Sequence, residues 1–173
     1  MLQLAQAGSL LIPMLRILYR ASGEEVATFA LSELPEEDGV RTIGSLKRYL
    51  AKEHFKKRCS RFQLRVFREG DPSDLRDDET ITLPLDFELV AMNHYLPPDD
   101  DRDKRFRDKC MAGDLEEVAR NLQALQNPNV SDPDDSWIVS PLLVAAQHGH
   151  TEVVRLLLEA GAHMNGTISG TIK

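Results

Sequence analysis

The chain reads as an α+β protein: a strand-rich N-terminal part with one helix, then a short all-α stack of helix pairs. Three observations give that reading. Apolar residues alternate with their neighbours at Leu15, Ile17 and Tyr19, at Phe62, Leu64 and Val66, and at Phe87, Leu89 and Ala91, the period of two expected of half-buried strands. From Phe106 onward the spacing lengthens to three or four, and Gly113, Gly149 and Gly161 interrupt the runs. Between the two patterns lies Leu96-Pro97-Pro98-Asp99-Asp100-Asp101, where prolines stiffen the chain and aspartates suit a helix start.

Taken in order, residues 1–13 read as a flexible leader. Leu10-Leu11-Ile12-Pro13-Met14-Leu15 is apolar but short, and no Lys or Arg precedes it, so the charged opening of a secretory signal is missing. No segment approaches the ~18 apolar residues of a membrane span. Residues 14–95 form the first domain. Leu15, Ile17 and Tyr19 open a strand, Ala21-Ser22-Gly23-Glu24 makes a turn, and residues 26–31 return as a second strand in either of two registers. Pro35-Glu36-Glu37-Asp38-Gly39 is a polar loop. Thr42 is a good helix cap ahead of Ile43, Leu46, Leu50 and Phe55. Residues 61–68 return to strand alternation, residues 69–79 make an acidic loop, and Phe87, Leu89 and Ala91 give a last strand.

Residues 96–101 are the expected linker, and residues 102–173 the helical part. Phe106, Cys110 and Met111 suggest a first helix; Leu115, Val118, Leu122 and Leu125 suggest a second. The stretch 102–130 would be a capping unit, because residues 99–107 make its first helix charged. Ser140 caps the next helix, and Pro141 sits where a missing N–H costs nothing. Leu142, Leu143, Ala145 and Ala146 give that helix a narrow apolar face. After Gly149, the residues Val153, Val154, Leu156, Leu157 and Leu158 surround a short helix with apolar groups, so more than one side must be covered.

Residues 135–165 closely resemble one ankyrin repeat. The resemblance is carried by Ser140-Pro141-Leu142-Leu143, the Gly149-His150 turn, the run Glu152 to Leu158 and the exit Gly161-Ala162-His163-Met164-Asn165. Ala112-Gly113-Asp114-Leu115-Glu116-Glu117-Val118 is similar to an opening ankyrin repeat. The first domain resembles a ubiquitin-like β-grasp. The features are Met14-Leu15-Arg16-Ile17-Leu18, the Ser22-Gly23 turn, Thr42-Ile43 with Leu46 and Leu50, Gln63 to Phe67 ahead of Gly70, Leu75 with Asp77-Asp78-Glu79, and Phe87 to Ala91. Residues 33–40 lengthen one loop relative to that family. The last strand runs on into Asn93-His94-Tyr95 rather than ending in a free Gly-Gly tail, so conjugation as a modifier is not expected. Only about two repeats are present where three or more usually make a stable stack. Residues 166–173 look like the entry to another repeat.

The resemblances imply a non-enzymatic adaptor that binds a protein partner through its ankyrin face. The alternative is the N-terminal targeting piece of a larger ankyrin-containing enzyme or channel. Ankyrin recognition uses loop tips and the exposed face of each first helix, which here implies Asp134, Ser136, Trp137 and Ile138 in the loop and Val144, Gln147 and His148 on the helix. The ubiquitin-like resemblance, with strand alternation, places Phe67 and Val90 in an outward patch with Arg65 as its polar rim.

Composition sets bounds on chemistry. A formal net charge of −7 argues against generic nucleic-acid or anionic-membrane binding. The two cysteines, Cys59 and Cys110, form no CxxC and fall in different expected domains, which suits a reducing compartment, cytoplasmic or nuclear. Gly39 and Gly44 have no Lys-Ser partner for a phosphate loop. His148 and His150 straddle a turn and do not converge on a metal. The acidic runs at residues 99–103 and 132–135 lack the ligand spacing of a calcium loop. No enzyme, cofactor or metal site is expected; oligomeric state is left open.

Overall fold

The N-terminal unit is built around one strand, β2 (Leu10–Tyr19). In the computed structural model, residues 4–7, 10–56, 59–82, 85–130 and 140–164 are described, with side chains from Pro13 onward. The chain divides into two units, Met1–Met92 and Asn93–Lys173. Together they are mixed α and β.

β2 pairs in parallel with β5 (Asp86–Ala91), from Arg16 opposite Asp86 to Tyr19 opposite Leu89. β3 (Glu25–Ala30) lies antiparallel on the other side of β2, and β4 (Leu64–Arg68) lies antiparallel to β5. The sheet order is therefore β3-β2-β5-β4, with the first and last long strands in the middle. β2, β4 and β5 each bury one parity: Leu15 and Ile17, Leu64 and Val66, Phe87 and Leu89 are at most 1% exposed. The choice of register for β3 is settled by a bulge between Ile17 and Leu18. The extra residue switches parity, so Phe29 and Val26 are both buried.

Two expectations are corrected here. Residues 1–13 were expected as a flexible leader, yet β1 (Leu4–Ala7) pairs antiparallel with Leu10 to Pro13 of β2. The ladder satisfies backbone groups of β2 where it outruns β3. Residues 61–63, expected as strand, form a 3-10 turn, with the Ser60 N–H donating to Gln63 Oε1 at 3.0 Å. The polar loop at residues 35–39 tightens into a two-residue turn: Glu37 and Val40 exchange backbone hydrogen bonds, and Asp38 and Gly39 both have positive φ, the Asp-Gly preference of such turns.

α1 (Ile43–Tyr49) covers the inner sheet face with Ile43 and Leu46, and a π-helical turn over Leu50–His54 adds Leu50. Thr42 caps it by accepting from the Ser45 N–H, while Ser45 accepts from the Thr42 N–H. Its first free N–H groups, on Ile43 and Gly44, donate to Glu79 and Asp77 carbonyls at 2.9 and 2.8 Å. Gly44 permits this approach, since a Cβ there would lie 3.0 Å from the Asp77 carbonyl oxygen. One turn on, the Lys47 ammonium is buried; it donates to Asp77 Oδ1 at 2.8 Å, and Arg61 donates to Asp77 Oδ2 at 2.6 Å. A loop that reads as acidic and solvated thus clamps the helix.

Among its described residues the second unit holds four helices: α2 (Asp100–Ala112), α3 (Leu115–Gln123), α4 (Pro141–Gln147) and α5 (Thr151–Glu159). Consecutive helices form two antiparallel pairs. α4 packs on α2, and α5 packs on α3. The expected linker at residues 96–101 is shorter than its composition suggests. Asp99 caps α2 by accepting from the Arg102 N–H at 2.7 Å, so the helix begins at Asp100. Asp103 is 9% exposed because Gln126, itself 2% exposed, donates to it at 2.8 Å. Leu96 N–H donates to the Leu125 carbonyl at 2.9 Å, and Tyr95 Oη donates to the Ala160 carbonyl at 3.4 Å. The segment preceding α2 is therefore tied to the ends of both second helices.

Candidate functional site

The two helix pairs repeat one local geometry at an interval read from Gly113 and Gly149, 36 positions apart. Both glycines follow a first helix with φ near +75°, the left-handed conformation that ends helices at low cost only for glycine. In each pair the next N–H reaches back to the helix: Asp114 to Lys109, and His150 to Ala145. At the end of the second helices, Ala124 and Gln126 donate to Arg120 and Asn121, as Ala160 and Ala162 donate to Leu156 and Leu157. Leu125 stands where the second pair has Gly161, and it takes φ +64°. That conformation costs a non-glycine residue about 1–2 kcal/mol; burial of its side chain and its carbonyl bond to Leu96 hold it there.

Polar side chains lock one pair to the other. His150 Nε2–H donates to the Met111 carbonyl at 2.9 Å. Its ring fills the space beside Gly113, where a Cβ would lie 2.5 Å from His150 Nδ1. His148 Nδ1–H donates to the Val144 carbonyl at 2.9 Å, and the two imidazoles stack with centroids 6.1 Å apart. Both histidines are thus occupied by backbone carbonyls. Asn129 makes the second tie: its Nδ2 donates to the Gly161 carbonyl and its Oδ1 accepts from the His163 N–H at 2.8 Å. Spacing in the sequence did not reveal either tie, because each joins residues more than thirty positions apart.

Of the residues expected to bind a partner, Asp134, Ser136, Trp137 and Ile138 fall outside the described residues. Gln147 and His148 are exposed. Val144 is corrected: it is 9% exposed, because α4 turns that side of its first turns toward α2. Exposed large apolar side chains in this unit include Met111 and Leu115 on the first pair, Leu143 and Leu158 on the second, and Met164 at its exit.

Arg65, Phe67 and Val90 do share the outer sheet face, with Arg65 directly opposite Val90. They do not make an open aliphatic patch. The Arg20 guanidinium lies 4.1 Å over the Phe67 ring, and Arg20 Nε is 3.5 Å from Glu88. Arg65 donates to the Phe62 carbonyl and faces Asp74 at 3.5 Å. Arg16 donates to Asp86 at 2.7 Å on the same face. The result is a ladder of opposite charges laid across β2, β5 and β4.

Neither thiol is set up as a nucleophile. Burial pushes Cys59 up to about 11 and Cys110 up to about 12, the reverse of the shift that activates cysteine. Among the described residues, no group of three or more His, Cys, Asp or Glu side chains gathers as a metal site. None of the described helices is long and apolar enough to cross a membrane.

A family model for the ankyrin repeat matches residues 139–167. An ankyrin repeat is thus present, centred on α4 and α5, and repeats of this kind suggest a protein-interaction module. No curated protein matches the chain.

Proposed function

We propose that the chain is a non-enzymatic adaptor in which a ubiquitin-like β-grasp unit is joined to a two-repeat ankyrin unit that binds a protein partner. The observation that carries the reading is the ankyrin repeat at residues 139–167, together with its recurrence in α2–α3 at the same turn geometry. Such a scaffold brings no chemistry of its own; it presents loop tips and a helix face held rigid by stacking. The ubiquitin-like assignment of the first unit is supported by a parallel central pair, β2 with β5, flanked by antiparallel strands and crossed by one helix. Binding is assigned to Trp137 and its loop neighbours Asp134, Ser136 and Ile138, with Gln147 and His148 on the adjoining helix. An isolated tryptophan in a polar loop suits an interface anchor. The adaptor is placed in the cytoplasm or nucleus, where unpaired cysteines are stable.

Affinity capture from cells tests this. Trp137→Ala is expected to weaken recovery of the partner at least about tenfold, the size of a ~1.4 kcal/mol contact. Full recovery by a variant whose circular dichroism matches the parent would refute the assignment.

A further inference from the structure

Charge is spread unevenly along the chain. From Lys47 to Arg61 the sequence holds seven Lys or Arg and one acid, Glu53. The remainder has 14 Lys or Arg against 27 Asp or Glu, so a stretch of +6 sits in a chain that is otherwise −13. Three of the seven cations are already paired with acids from outside the stretch. Lys47 and Arg61 share Asp77, and Arg48 meets Glu37. Acid therefore borders the basic stretch at its start and at its end.

Lys52, His54 and Lys56 stand differently. All three are exposed. Lys52 meets Glu53 at 3.0 Å, with the two side chains 76% and 51% exposed, a pair of little worth in water. His54 and Lys56 make no hydrogen bond or ion pair among the described residues. None of the three donates to a carbonyl at the helix end, so capping does not account for them. The backbone is unusual here as well. Phe55 N–H donates to the Leu50 carbonyl at 2.9 Å in the wide π spacing, and Phe55 packs half-buried on the core. Lys56 then takes φ +47°, at the position where helices commonly end in glycine. Asp38 and Leu125 are the other non-glycine residues with positive φ among those described. Asp38 belongs to an Asp-Gly turn, and Leu125 buries its side chain. Neither reason holds for the exposed Lys56. A lysine kept in a conformation that glycine reaches at lower cost points to a use for its ammonium.

We infer that Lys52, His54 and Lys56 form a docking site for a short acidic segment of a partner protein. Charge complementarity sets the chemistry of the occupant. Carboxylates on an extended segment can meet both ammonium groups and accept from the His54 ring N–H. The acidic border sets its length. A nucleic-acid strand or a lipid surface would run on past a Debye length of about 8 Å and meet the acidic remainder of the protein, whose field opposes it. A few consecutive Glu or Asp residues stay within the basic stretch. The site lies on the first unit, so it adds a surface independent of the ankyrin loop and helix face.

Fluorescein-labelled hexaglutamate, titrated with the full chain at about 0.05 M salt and followed by anisotropy, tests this. Saturable binding is expected, with the largest amide shifts in NMR spectra at Lys52, His54 and Lys56. Lys52→Gln together with Lys56→Gln should weaken it at least about fivefold. Lys56→Gly separates a ligand role from a structural one. It should raise the thermal midpoint of the first unit, read from the amide resonances of β5, by at least about 2 °C. It should still weaken the peptide at least about twofold. Absence of saturation, or parent-like affinity in either variant, overturns the inference. So does a lowered midpoint for Lys56→Gly, which would make the lysine a structural cap. A labelled single-stranded oligonucleotide, or vesicles of anionic lipid, bound more tightly than the peptide through the same residues would also overturn it, since the partner would be of another class. Trp137→Ala should leave the titration unchanged, so loss of partner capture at the ankyrin loop and failure of this site remain separate results.

Discussion

Two glycines at equivalent turns give the sharpest contrast available at single residues. Gly113 and Gly149 share a positive φ, but only Gly113 has His150 pressed against it. Gly149→Ala is expected to cost about 1–2 kcal/mol, the conformational term alone. Gly113→Ala should cost about 1–3 kcal/mol more, because His150 must move and give up its bond to Met111. Chemical denaturation of both variants measures the difference, and equal losses would show that His150 yields freely. Asp114 supplies a pH signature of its own. Lys109, which donates to it at 3.0 Å, and the Glu117 N–H hold its carboxyl below the ordinary value. A carboxylate depressed in the folded state binds fewer protons than in the unfolded one. Its contribution is therefore present above the unfolded value and is lost as pH falls through the folded one. An NMR titration should place the Asp114 midpoint low, and Lys109→Ala should move it up. Legibility ends soonest at this scale. Thr42 and Ser140 announce themselves as caps, since a short hydroxyl ahead of an apolar run has few other roles. Val144 did not announce its burial, because a valine on a short helix looks the same whichever neighbour covers it.

Elements were legible where local chemistry decides them. The four helices of the second unit follow from spacing and from glycine stops, and the helix-capping signals agree with the observed starts. Elements decided by a distant partner were not. β1 pairs with the stretch of β2 that runs on past β3, and the shift of parity in β3 comes from an extra residue, Val26, opposite the Ile17–Leu18 step of β2. The clamp between the acidic loop and α1 is the clearest case. Asp77 is 30 positions from Lys47, and nothing in the run Asp77-Asp78-Glu79 singles it out. Yet it serves a lysine whose side chain is 4% exposed and an arginine whose side chain is 11% exposed. Asp77→Ala is expected to destabilise the first unit by about 3–5 kcal/mol, the cost of leaving a buried charge without its partner. Replacing Lys47 and Asp77 together with Met and Leu should cost much less. A double-mutant cycle by urea denaturation measures the coupling, and additive losses would show that the pair is incidental.

For the whole molecule, the division into a mixed α/β unit and an all-α unit was visible as a change of period along the chain. The partner surface was less visible. Ankyrin character suggests protein binding in general, while the residues proposed to choose the partner, around Trp137, fall outside the described residues. The charge balance makes a global prediction. At a net −7, the protein is expected to give no shift of labelled duplex DNA at about 0.15 M salt. A salt-sensitive complex in that assay would mean that a local basic surface outweighs the total. The segment just ahead of α2 carries a practical consequence. A protease or a designer reading Asn93-His94-Tyr95-Leu96-Pro97-Pro98 would take it for a free tether and cut there. Its backbone and its tyrosine are fastened to Leu125 and Ala160, so the helical unit trimmed at Pro98 would lose two of its own fasteners. A version of that unit meant to stand alone should start no later than Asn93.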